Sequence, residues 1–304
     1  MDRFAVVRTF YDLVKAARDL SGSLGDPAAK TQYVLNAIDE GAYNINHSDP
    51  WGNSLLIACA LGEQLHSSNL LYKIWPQHVV LARALLDRGA DVNQRTTSIL
   101  GIAPDGSTAL AVAAAGSGLA SPDLVALLLD AGADVDIMNA RGTPLANAIK
   151  GFGDVPDDAP RHHACRKIVH MLLRAGAQIG TQAIDEAFEQ TEDRCFRGEK
   201  GIGSPRAFYC SVESHAHYTA AKEMILGVRA AGSWRAYAKL PRKQVLSLRS
   251  LALRGRAKPR DARMTFLVDS PNEIAWKILE YWRTELDCCM TIHSPALGTR
   301  SLHP

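Results

Sequence analysis

Leu85 to Asn93 reads LLDRGADVN, Leu128 to Asp136 reads LLDAGADVD, and Leu172 to Gly180 reads LLRAGAQIG. One phrase written three times is the strongest constraint on this chain. Internal similarity of this kind implies stacked copies of one supersecondary unit. The copies start 43 and 44 residues apart. In each, paired leucines end an amphipathic helix. Gly89, Gly132 and Gly176 then stand where a helix C-cap needs a left-handed residue. Downstream, Asp105-Gly106-Ser107-Thr108-Ala109-Leu110 and Gly142-Thr143-Pro144-Leu145 each place a Gly turn before a Thr able to start a helix. The unit is a helix, a Gly, a hairpin, a Thr-capped helix and a second helix.

This unit resembles the ankyrin repeat over residues 32–180. The matching residues are Gly89-Ala90-Asp91-Val92-Asn93, Gly132-Ala133-Asp134-Val135-Asp136, Gly176-Ala177 and the Gly-x-Thr or Thr-Pro-Leu helix starts, with Gly41-Ala42-Tyr43-Asn44-Ile45-Asn46 as a weaker copy. The family's helix-start histidine is replaced by Ile57, Ala111 or Ala146, so softer joints between hairpin and helix are expected. The family period is about 33 residues, so each copy here carries extra chain. Counting between glycines puts the excess in two interhelix loops, around Leu61 to Pro76 and Gly151 to His162, and in one long hairpin, around Gln94 to Pro104. The resemblance implies an all-α solenoid of stacked helix pairs with β-hairpin fingers, plus a helical C-terminal extension.

The expected organisation is a capping helix in 1–31, repeats in 32–180, a degenerate last repeat with a long loop in 181–232, and a basic helical extension with a tail in 233–304. The capping face joins Phe4, Val7, Tyr11 and Val14 at helical spacing, beside Phe10, Leu13 and Ala17. In the extension, Pro241 opens one helix with Val245, Leu248 and Ala252 on a face beside Leu251, and Gly255 closes it. Ser270-Pro271-Asn272-Glu273 reads as a capping box for a second helix, with Ile274, Ile278 and Trp282 sharing its face.

No apolar run reaches the roughly 18 residues that a membrane span needs. Charged residues interrupt the N-terminus where a leader would be apolar. An intracellular protein, cytoplasmic or nuclear, is the expectation. None of the six cysteines forms a CxxC pair, so no structural disulfide is expected. Charge is unevenly spread: residues 229–263 carry eleven Lys or Arg against Asp261, and the rest of the chain is net acidic.

Catalytic and metal-binding constellations are weak. Cys195, Cys210, His215 and His217 lack the close pair of a zinc site, and His162, His163 and Cys165 splay around one helix. The loop Gly198 to Gly203 lacks the strand and the Lys-Ser/Thr helix start of a phosphate loop. No cofactor, no metal and no enzymatic activity are expected. The favoured reading is a protein-binding module using exposed finger tips and a concave face. Trp51, Arg95, Ile99, Leu100, Met138 and Arg141 are its candidate anchors, although Trp51 also suits packing against a neighbouring finger. Residues 270–282 resemble the opening of an F-box. That implies an alternative, an adaptor docking a ubiquitin ligase scaffold through Ile274, Ile278 and Trp282. The basic block suits a solvated face packed on the acidic array, then an acidic protein partner. Nucleic acid ranks last, and no membrane partner is expected.

Overall fold

The computed structural model describes residues 10–20, 26–66, 69–97, 103–115, 120–154, 159–196, 211–260 and 262–281. The chain is mostly helical and divides into two compact units, Met1–Arg229 and Ala230–Pro304.

The helices of the first unit are α1 (Phe10–Arg18), α2 (Pro27–Asp39), α3 (Leu55–Leu61), α4 (Pro76–Asp87), α5 (Ala109–Ala114), α6 (Pro122–Asp130), α7 (Pro144–Asp154), α8 (Ala159–Ala175), α9 (Gln182–Phe196) and α10 (Val212–Ala231). They form two layers. In one, α1, α3, α5, α7 and α9 each pack on the next; in the other, α2, α4, α6 and α8 do the same. The pairs α1–α2, α3–α4, α5–α6 and α7–α8 join the layers. Every residue of α3 and of α5 is buried. A helix that is apolar all round must be covered on all sides, and here both flanking helices and the outer layer cover it.

Helix starts and ends follow the repeated motifs. The hydroxyls of Ser54, Thr108 and Thr143 accept from the backbone N–H of Ile57, Ala111 and Ala146 at 3.3, 3.2 and 3.2 Å. Gly89, Gly132 and Gly176 take φ of 88°, 84° and 98°, and the alanine after each donates back to Leu85, Leu128 or Leu172 at 3.0–3.1 Å. Those leucines are fully buried. The phrase thus ends a helix and plugs the core in one stroke.

A second device joins one repeat to the next. Asn46 Oδ1 accepts from the backbone N–H of Asp91, Asn93 Oδ1 from Asp134, and Asp136 Oδ1 from Gln178, each at 2.8 Å. The residue that ends each phrase therefore binds the start of the next repeat's turn.

The fingers depart from the expected β-hairpins. Among the described residues they are tight turns, with one isolated bridge, Asn139 to Gly142, and no strand pair. A sheet occurs elsewhere. The antiparallel hairpin β1 (Glu63–His66) and β2 (Asn69–Lys73) fills the insertion expected as a loop between α3 and α4. Glu63 anchors its base by accepting from Trp75 Nε1 at 3.1 Å, and Lys73 Nζ lies 3.8 Å from the Trp75 ring centroid. The second expected loop is also largely helical, because α7 runs on to Asp154 and α8 starts at Ala159.

His78 ties α4 to the end of α1. Its Nδ1 accepts from Trp75 N–H at 2.9 Å, so Nε2 carries the proton and donates to the Arg18 carbonyl at 2.9 Å. Burial holds its pKa below the ordinary histidine value. On α1 the buried face is Phe10, Leu13, Val14 and Ala17, while Tyr11 is half exposed. Of the expected face, Val14 with Phe10, Leu13 and Ala17 beside it is buried and Tyr11 is not; Phe4 and Val7 lie outside the described residues.

The second unit holds α11 (Trp234–Leu253), α12 (Ala262–Asp269) and α13 (Asn272–Tyr281). Pro241 does not open α11. Ser233 caps the helix on Ala236 N–H, two turns earlier, and Pro241 lies inside it. Gly255 closes α11 as expected, at φ 71°. The core is small: Leu267, Ala275 and Leu279 are buried, with Val245, Leu246, Met264 and Ile278 packed around them. Of the expected apolar face of α11, Val245 packs on this core while Leu248 and Leu251 are exposed. Arg249 takes the inward position instead. Its guanidinium donates to the carbonyls of Leu267 and Ser270 at 2.9 and 2.6 Å and to Asn272 Oδ1 at 2.7 Å. These carbonyls sit at the C-terminal end of α12, where the helix dipole favours a cation. The capping box also fails. The Ser270 hydroxyl donates to the Phe266 carbonyl at 2.7 Å, and α13 begins one residue beyond Pro271, whose carbonyl accepts from Ala275.

Candidate functional site

The turns between the two layers form a row along the first unit. In the first, Asp49 is buried and its carboxylate accepts from Trp51 N–H, Asn53 N–H and Asn53 Nδ2, at 2.8–3.0 Å. Gly52 then takes φ 76°, and a Cβ there would stand 2.3 Å from the backbone nitrogen of Thr97. The first turn is thus seated against the second. Thr96 closes the second turn: its N–H donates to the Ser107 carbonyl and its hydroxyl to the Pro104 carbonyl, both at 2.9 Å. Asn139 Nδ2 donates to Ser107 Oγ at 2.9 Å, and Ala140 N–H to the Asp105 carbonyl at 3.0 Å, which seats the third turn on the second. The joints that lack the family histidine are bonded by these Asp, Asn and Thr side chains instead.

The candidate anchors separate into different kinds. Arg95 is exposed, yet its Nε donates to the Gly106 carbonyl at 3.2 Å and its Nη2 to the Met138 carbonyl at 2.8 Å. It bridges the second and third turns and brings Met138 alongside; that side chain is 52% exposed. Arg141 pairs with Asp154 at 2.5 Å, and Arg194 from α9 meets the other oxygen of the same carboxylate. Lys150 Nζ donates to the Arg141 carbonyl at 2.6 Å. Burial, then the neighbouring Arg141 charge, lowers its pKa. Trp51 lies apart from this group, its ring 5.3 Å from that of Tyr11 on α1 rather than on a neighbouring finger. Ile99 and Leu100 lie outside the described residues.

Sequence reasoning missed Lys150, Arg194 and Tyr11. For Lys150 the available signal was Asp154, four residues on along the same helix. Tyr11 was hidden by its fit to an apolar period.

In the second unit, Ile274 is 48% exposed, Ile278 packs into the small core, and Trp282 lies outside the described residues. Trp276 and Phe266, exposed at 60% and 63%, were not anticipated. Of the basic block, Arg249 is buried, and Arg229 is engaged with Asp185 and the Ile179 carbonyl.

Cys59 and Cys165 are buried thiols, and burial pushes the Cys59 thiol far above its usual range. Among the described residues no three His, Cys, Asp or Glu side chains converge as metal ligands. His163 and His217 meet edge to face across α8 and α10, with ring centroids 5.3 Å apart. Cys210 and the Gly198 to Gly203 loop lie outside the described residues. No described helix is long and apolar enough to cross a membrane.

No curated protein sequence matches the chain. The ankyrin repeat family model matches residues 105–140, which run from the second turn through α5 and α6 to the third. The phrase-ending glycines, the Ser and Thr helix caps and the two packed layers extend the same pattern on both sides of that match. Residues 105–140 of this chain are thus an ankyrin repeat.

Proposed function

We propose that the first unit is an ankyrin-type solenoid that binds a protein partner through its turn tips and concave face, without catalysis. Ankyrin repeats are in general protein–protein interaction modules, and that much carries over with the family. The observation that supports the finer reading is the second and third turns. Arg95 fixes them to each other and leaves Met138 half exposed on a rigid base. A side chain held in advance loses little entropy on binding, which favours such positions as anchors. Arg141, with Arg194 beside it, offers a charged rim to the same surface. Ile99 and Leu100 belong to this proposal through the sequence of the lengthened turn alone.

Quantitative affinity purification from cell lysate, comparing the native chain with Met138→Glu, tests this. One or more proteins should be lost from the variant at unchanged melting temperature. Identical recoveries from native chain and variant would overturn the use of this surface.

A second reading is supported by the exposed apolar residues of the second unit. Phe266 on α12 and Ile274 and Trp276 on α13 suit an adaptor that docks a ubiquitin ligase scaffold. Ile278 serves packing in that reading and Ile274 serves docking. Ile274→Asp should abolish recovery of a scaffold while the first unit keeps its melting transition; recovery of the same scaffold by the variant would sink the adaptor role.

A further inference from the structure

Five of the chain's ten histidines lie on two helices that meet: His162, His163 and His170 on α8, and His215 and His217 on α10. Histidine changes charge near neutral pH, so mild acid concentrates its effect on this joint. The five are not alike. His162 and His170 are buried, and the His162 ring lies 5.6 Å from Phe152. His215 is exposed. His163 and His217 are partly exposed and face each other across the joint, edge to face, with ring centroids 5.3 Å apart.

Cations surround that pair. Arg166 and Lys167 act on His163 from its own helix, and Arg166 also acts on His217. Glu213, one turn before His217 on α10, opposes them. From α9, Glu192 faces α10, where it accepts from the Tyr218 hydroxyl at 2.9 Å and meets Lys222. The helix is held differently along its length. Its far end is fixed by Arg229, which donates to Asp185 and to the Ile179 carbonyl. Its first half carries the histidine pair and Tyr218, whose ring meets that of Phe152 at 5.6 Å.

We propose that the joint between α8 and α10 is an acid-operated latch. When His163 and His217 both take up protons, their mutual repulsion, reinforced by Arg166 and Lys167, lifts the first half of α10 from the stack while Arg229 keeps the far end tethered. Release uncovers Phe152 and Tyr218, which are 1% and 4% exposed in the closed form. The direction follows from linkage. Burial, then the neighbouring cations, holds both docked rings below the ordinary histidine value of 6.5. A released α10 binds protons more readily than a docked one. Docking is therefore fully supported above pH 6.5 and loses support as pH falls toward the depressed docked values.

The test is hydrogen exchange of the full chain at pH 7.5 and 5.5 in low salt, expressed as protection factors. Residues 213–222 should lose protection at pH 5.5, by at most about tenfold for each histidine. The loss should be larger than in α5 and α6, which carry no histidine. A double variant, His163→Gln with His217→Gln, should keep its protection in 213–222 at pH 5.5. Arg166→Gln leaves both rings in place and should move the opening to lower pH. About 1 M salt should reduce the loss in the native chain, because it screens charges beyond about 3 Å. Protection in 213–222 that does not fall with pH, that falls as far in the double variant or in high salt, or that follows the native profile in Arg166→Gln would each overturn the proposal.

Discussion

Leu128 and Arg249 hold equivalent places, each enclosed among the helices of its own unit, but they do opposite things there. Leu128 adds apolar area to a continuous core that passes from repeat to repeat. Arg249 brings a positive charge into a core with three buried apolar residues, and that charge is balanced by carbonyl dipoles and an amide oxygen rather than by a carboxylate. The first unit gains stability from neighbours, since every inner helix is flanked on both sides. The second cannot gain it that way, and uses directional bonds to hold its three helices in one arrangement. A stacked array is robust because its contacts are numerous; a small unit is specific because a few of its contacts are irreplaceable.

Leu128→Ala should have the largest effect. It leaves a cavity under two helix layers and should cost about 2–5 kcal/mol, measured as a lowered urea midpoint of the first unit. Arg249→Met, by contrast, removes charge-assisted hydrogen bonds worth about 1.5–3 kcal/mol each and leaves buried carbonyls unpaired. Hydrogen exchange on the full chain should show α11 to α13 losing protection while α3 to α8 keep theirs. Retained protection in α12 and α13 would mean that the apolar residues alone define the unit.

Protonation gives a milder probe confined to the first unit. His78 is held neutral by burial, whereas the unfolded chain takes up a proton below the ordinary value of 6.5. The stability this supplies is full above pH 6.5 and is lost as pH falls toward the depressed folded pKa. The loss is at most about 1.4 kcal/mol per pH unit. Urea midpoints at pH 7.5 and 5.5 should differ, and His78→Gln should narrow the difference. The smallest effect is expected for Asn93→Ala, which deletes one exposed inter-repeat bond. It should cost about 0.5–1.5 kcal/mol, read as faster exchange at the Asp134 amide.

Much of the first unit was legible because its determinants are local and repeated. The Leu-Leu ends, the glycines and the Ser or Thr caps each act within a few residues, so reading three copies is reading one rule. Tyr11 and Arg249 were not legible, for related reasons. Periodicity places Tyr11 on an apolar face, but only packing decides which of two adjacent faces turns inward. A composition count assigns Arg249 to a solvated basic block, and nothing local says that α12 will end against it. The hairpin at Glu63–Lys73 was read as a loop because the counting located surplus residues without asking what they would pair with. The candidate site was half legible. The turn tips could be named from the repeat, but Lys150 and Arg194 reach it from other elements.

The bonds from Asn46, Asn93 and Asp136 cross 45, 41 and 42 residues of chain, yet they share one length. They measure distance in space and are blind to distance along the sequence. New chain can therefore enter between any two rungs without disturbing the alignment of the next, and the β1–β2 hairpin has done so. For an engineer this makes the segment between α3 and α4 a port: a foreign recognition loop carried on the β1–β2 hairpin meets a frame that already tolerates unequal insertions. For evolution it means that neighbouring repeats in such a chain can diversify at different rates and still assemble in register.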